Sequence, residues 1–129
     1  PDSPAKAPIM ALTLAQLIRV AKRVKEATGY FELGMTQHTL DCLEGLGDLG
    51  PFEAEVALLR GEALRAQHRY AAAETALKTA ARKFPSPFDR SAWFALSLCY
   101  RQAGDTDRAV QSLARARGAM PRRRPPKPR

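Results

Sequence analysis

The sequence predicts an all-α protein built as an array of three antiparallel helix-turn-helix hairpins. Three observations carry that expectation. Sustained apolar–polar alternation is missing and β-branched residues are sparse, while the helix formers Ala, Leu, Arg, Glu and Lys dominate. Apolar residues recur at helical spacing, as at Leu14, Leu17, Ile18, Ala21, Val24, Ala27 and Phe31. Turn-forming clusters then interrupt these stretches at short intervals, giving six helices joined by short turns. With 129 residues, the chain is one domain by length and large enough to bury a core.

Each element has its own signals. Thr13 with Gln16 three residues on forms a capping-box start for the first helix, and Gly34 stops it. A second helix is expected over about 36–46, ending in the turn cluster "GLGDLGP" at 45–51. The third runs from Phe52 to Ala66, with Pro51 suited to its first turn, until "QHR" at 67–69 breaks it. The fourth spans Tyr70 to Phe84 and closes on "PSPFD". Asp89 is the expected cap of the fifth helix, about 90–103, which Gly104 ends. Asp105 caps the sixth, about 106–119, and Pro121 forbids much continuation.

The helices repeat. Ala27 and Gly61, Thr39 and Ala73, Leu43 and Leu77, and Pro51 and Pro85 are each 34 residues apart. From the second unit to the third the offset is 36, as in Ala73 to Ala109, Leu77 to Leu113 and Pro85 to Pro121. The two extra residues fall in a loop, where insertion costs little. In the third unit Trp93, Leu96, Ser97, Tyr100, Ala109, Leu113, Ala116 and Pro121 alternate large and small side chains. Small residues let two helix backbones approach, and large ones fill the space above and below. Trp93 is expected to be an inter-helix plug whose truncation costs roughly 3–5 kcal/mol.

In this pattern the sequence resembles the tetratricopeptide repeat (TPR) family. Three units, about 20–53, 54–87 and 90–123, lie in one register, and the domain is expected over about 13–121. The resemblance implies a right-handed superhelical array that stacks neighbouring hairpins to bury their apolar faces. It also implies that the first helix of each hairpin lines a concave groove. The family's groove register falls on Ala21, Val24, Thr28 and Phe31, then Glu55, Leu58, Glu62 and Arg65, then Ser91, Phe94, Leu98 and Arg101. The partner-binding residues expected from it are Val24, Thr28, Phe31, Leu58, Glu62, Arg65, Phe94, Leu98 and Arg101. Such a strip, apolar at its centre with two cations, suits a partner's extended peptide or helix. Family members that clamp C-terminal carboxylates use Lys and Asn in the groove. Here those places carry Val24, Thr28, Leu58, Ser91 and Ala95, and the chain contains no asparagine.

The expected role is therefore a non-catalytic adaptor or scaffold, with no cofactor. Two alternatives come from other classes: a substrate-holding chaperone of the secretion type, and nucleic-acid association. The latter rests on the tail "RRRPPKPR" at 122–129, whose five cations leave only +3 of the net +8 for the rest of the chain. Five phosphate contacts would give a log–log salt slope near −4.5, yet no aromatic platform for base stacking accompanies them. Arg122, Pro125 and Pro128 also match an R-x-x-P-x-x-P docking pattern. The tail reads as disordered, and residues 1–12 read as a flexible leader with no signal-peptide pattern.

Catalytic and metal signals are weak. His38 and Cys42, four apart, share a helix face, but two ligands do not make a metal site. Cys99 reads as a packed small residue. No Gly-rich phosphate loop or nucleophile elbow is present. Arg19, Lys22, Arg23 and Lys25 read as a solvated face. Two distant cysteines suit a reducing cytoplasm, and the Ala/Arg-rich composition suits a bacterium. No apolar run is long enough for a membrane span. Val110, Leu113 and Met120 are expected to leave an uncovered apolar strip, which homodimerisation or the remainder of a longer parent protein would hide.

Overall fold

A computed structural model describes residues 12–118. Expectations for the leader, Met120, Pro121, the tail and the sixth helix's last predicted residue lie outside the described residues. Six helices follow one another: α1 (Leu14–Glu32), α2 (Thr36–Cys42), α3 (Glu53–Ala66), α4 (Tyr70–Lys83), α5 (Arg90–Ala103) and α6 (Thr106–Ala116), with a 3-10 turn at Gly50–Phe52. Among the described residues there is no strand. Each helix packs on the next, and α1 also touches α3 as α3 touches α5.

Two caps form as the sequence predicts. Thr13 Oγ1 accepts the Gln16 N–H at 3.1 Å, and Asp105 Oδ1 accepts the Arg108 N–H at 3.1 Å. Two expectations are corrected. The Gln16 side chain does not close a capping box; its Nε2 donates to the carbonyls of Leu46 at 2.7 Å and Asp48 at 3.0 Å. Asp89 makes no side-chain cap but accepts the Trp93 Nε1–H at 3.2 Å.

The largest departure is α2, which stops at Cys42 instead of near 46. Gly45, Gly47 and Gly50 take left-handed φ of +64°, +75° and +52°, conformations that glycine adopts without a Cβ clash. Leaving the helix early strands carbonyls, and α1 supplies their donors. Arg19 donates to the Leu46 carbonyl at 3.1 Å and the Gly45 carbonyl at 3.2 Å, beside the Gln16 bonds. Arg19, though exposed, is thus also a strut between α1 and this turn, while Arg23 pairs with Glu26 in solvent. Arg19→Ala is expected to cost about 1–2 kcal/mol. Urea unfolding should show the loss, and amide exchange should rise selectively over 45–50.

The core has two parts. One joins Val20, Val24 and Ala27 of α1 to Leu43, Leu46, Val56 and Leu59. The other joins α3 to α6 around Leu64, Leu77, Leu96 and Tyr100, with Leu40 reaching in from α2. Phe31 packs against both. The hairpin turns repeat too: Gly34, His68 and Gly104 hold equivalent places with φ of +77°, +64° and +90°. His68 accepts this unusual geometry while its Nδ1 is hydrogen-bonded to the Tyr70 hydroxyl at 2.7 Å.

Trp93 is only half-buried. Its ring packs against the second core and carries the Arg115 guanidinium 4.6 Å from its centroid, a cation–π stack at the rim. It packs on the core as expected of an inter-helix plug, but at the rim, so the full cost of deleting an enclosed aromatic does not apply.

Candidate functional site

Exposure at one repeat register rises along the chain. Val24 is 4% exposed, Leu58 is half-buried and Phe94 is 49% exposed. The second helices show the same gradient: Leu40 is buried, Glu74 half-buried and Val110 62% exposed. The cause is stacking. The first hairpin is covered by α3 and the second by α5, whereas no described helix covers the third. Val24 is accordingly corrected from a partner contact to a core residue, with only its edge reaching a cleft.

That cleft, about 470 Å³, lies between α1 and α3. Ala21, Val24, Thr28 and Glu55 of the groove register line it, with Glu32 and Phe52. The Thr28 hydroxyl donates to the Val24 carbonyl at 2.9 Å. Phe31 and Leu58 are half-buried and lean on the core. Further along, Arg65 Nη1 donates to Gln102 Oε1 at 3.3 Å, and its Nε is buried with no partner among the described residues. Gln102 was not marked by the sequence, although its place opposite Arg65 follows once the hairpins are stacked.

Glu62 is half-buried, and burial pushes its carboxyl above the ordinary range, with Arg65 opposing the shift. For an acid so shifted, ionisation penalises the folded state. That penalty is complete above the folded pKa and vanishes below the unfolded value. Glu62→Gln is therefore expected to stabilise the protein at pH 7. The gain should shrink to nothing below about pH 4, read from urea midpoints at both pH values. Glu74 behaves oppositely. The Tyr100 hydroxyl donates to it at 2.7 Å and Lys78 sits 3.0 Å away; these partners, the hydroxyl first, hold its carboxyl below the usual range. Its stabilisation is present above the ordinary carboxylate pKa and is lost as pH falls through the folded value.

At the other end, Phe94, Leu98, Arg101, Val110 and Leu113 line a cavity of about 290 Å³ between α5 and α6. Leu98 is half-buried, and Arg101 is exposed. An adjoining hollow adds Arg90, Ser91 and Arg117. The predicted site residues thus divide: Thr28 lies at one cleft, Phe94, Leu98 and Arg101 at the other, and Phe31, Leu58, Glu62 and Arg65 between them.

The remaining reactive side chains are placed elsewhere. His38 lies against the Tyr30 ring, centroids 5.1 Å apart, whereas Cys42 is in the core. Cys99 is buried with its Sγ 3.6 Å from the Tyr70 carbonyl. Burial pushes both thiols up, the opposite of what a nucleophile needs. Among the described residues, no three His, Cys, Asp or Glu are grouped to hold a metal. No described helix is long and apolar enough to cross a membrane.

Among curated proteins, no relative matches the sequence. A family model described as tetratricopeptide repeat matches residues 58–127, more than half of the chain.

Proposed function

Because the chain belongs to the tetratricopeptide repeat family, whose repeats are generally protein-interaction modules, we propose that it is a non-catalytic adaptor that holds a segment of a partner protein along α1, α3 and α5. The observation that carries this reading is the side-by-side placement of those three helices. Thr28 lines an open cleft there, and Phe31, Leu58, Glu62 and Arg65 are half-buried on α1 and α3. Half-buried apolar side chains offer anchors there, and Glu62 and Arg65 offer orientation. Two buried free cysteines support work in a reducing, cytoplasmic setting.

The test uses charge reversals beside the α1/α3 cleft, where Lys25 and Glu55 are exposed. Affinity capture with the wild-type chain is compared with the Lys25→Glu/Glu55→Lys variant and with Val110→Glu, all at native helicity. A partner is expected whose captured amount falls at least tenfold in the cleft variant. If every captured partner ignores that variant, the reading is wrong.

A further inference from the structure

We propose that the α5/α6 face is a docking site for an acidic amphipathic helix of a partner protein, which stacks there as α3 stacks on the first hairpin and α5 on the second. This rests on the protein-interaction reading but names a different surface and the chemistry of its occupant. The argument comes from the repeat register. Phe94, Ser97, Leu98, Ala109, Val110 and Leu113 line the open cavity. Their equivalents in the second unit are Leu58, Gly61, Glu62, Ala73, Glu74 and Leu77, and those in the first are Val24, Ala27, Thr28, Thr39, Leu40 and Leu43. In both earlier units every one of these places is buried or half-buried. In the third, Phe94 and Val110 stand 49% and 62% exposed.

The covered units state what the occupant needs. Over the second hairpin, Tyr100 meets Glu74 through its hydroxyl, and Gln102, two residues later, accepts from Arg65. Over the first, Leu40 is apolar and buried, and the equivalent of Tyr100 is Leu64. Val110 replaces Glu74 and Arg101 replaces Arg65 on the open face. The occupant therefore carries a large apolar side chain for Val110 and, two residues on, a hydrogen-bond acceptor for Arg101.

Charge selects among occupants. Arg90, Arg101 and Arg117 surround the apolar strip, and none forms an ion pair among the described residues. The carboxylates Asp105 and Asp107 lie at one end, in the hollow beside Thr106, and Asp105 is tied to its cap. A second copy of this face would set three arginines against three. Helix α1 of a second copy would bring Tyr30 and Glu32 to the places of Tyr100 and Gln102, but Lys22 and Lys25 to those of the buried Ala92 and Ala95. The chain's own residues 119–129 carry five cations and no acid. An acidic helix meets complementary charge, and a desolvated pair with Arg101 favours it.

The probe is a labelled, helix-stapled peptide copying residues 90–103 with Arg90→Glu, Cys99→Ala, Tyr100→Leu, Arg101→Glu and Gln102→Glu. Its counterpart carries Lys at the three Glu positions. Binding to the whole chain is followed by fluorescence anisotropy, with protein variants matched to wild type in helicity and urea midpoint. Saturable binding of the acidic peptide is expected, weakened at least tenfold by Val110→Glu. Arg101→Glu should weaken the acidic peptide and strengthen the lysine one, a reversal that a merely structural role does not produce. Lys25→Glu/Glu55→Lys should leave peptide binding unchanged. Equal affinity for both peptides, no saturation, or indifference to Val110→Glu overturns the proposal. So does a dimer that sedimentation shows to be dissolved by Val110→Glu, or tenfold tighter peptide binding once residues 119–129 are removed. If the peptide fails while the cleft variant still loses its captured partner, this inference falls and the adaptor reading stands.

Discussion

Leu77→Ala is expected to cost about 3–5 kcal/mol, at the upper end for a buried leucine. Leu77 has no exposed surface and sits in α4 against α3, with α5 closing the other side of the same core. The cavity left behind has little chance to collapse. One of its walls is the helix backbone at Gly61, which a side-chain rearrangement cannot bring forward. A domain of this size holds only about 5–15 kcal/mol in total, so the variant should be near its unfolding midpoint in modest urea. A loss below about 1 kcal/mol would mean that the site relaxes and that the packing around α4 is looser than the geometry indicates.

Gly61→Ala is expected to destabilise by about 1–3 kcal/mol, against the gain of roughly 1 kcal/mol that alanine ordinarily brings to a helix interior. A Cβ at Gly61 would lie 2.5 Å from both Cγ and Cδ2 of Leu77 and 3.2 Å from its backbone nitrogen. The terminal methyl could swing away, but Cγ and the α4 backbone could not follow without parting the helices. Gly29→Ala is the control. That glycine is helical too, yet its added Cβ would meet nothing within 4 Å, so a gain in stability is expected. In a Leu77→Ala background the Gly61→Ala penalty should shrink to what the 3.2 Å backbone contact imposes, a coupling that a double-mutant cycle from urea unfolding measures directly.

The repeat made close helix approach at this register legible before any coordinates, though not the contact itself. Ala27, Gly61 and Ser97 share one register with Leu43, Leu77 and Leu113 opposite, and small against large is what close helix pairing requires. Helix starts at Thr13 and Asp105 were equally readable, because each cap is a local bond. The end of α2 was not. Whether "GLGDLG" continues a helix or leaves it depends on donors reaching across from Gln16 and Arg19, some thirty residues away in sequence. The same blindness affected Asp89, whose acceptor went to an indole rather than to the backbone. For the candidate site, the register treated three equivalent places as alike. Stacking makes them unlike: Val24 is sealed by the next hairpin, whereas Phe94 has no described neighbour to seal it.

The division of the interior into two clusters has a consequence for cooperativity. In stacked repeats each hairpin draws stability from its neighbour's interface as well as from itself. The first hairpin has a short second helix, and its cluster is completed by Val56 and Leu59 of α3 and joined to the other cluster through Phe31 and Leu40. Sub-global opening would then release the first hairpin ahead of the remaining two, since regions with fewer shared contacts open at lower free energy. A partner that grips α1 and α3 together would bind only the closed form. Its apparent affinity would carry that opening equilibrium, and its arrival would fuse two folding units into one.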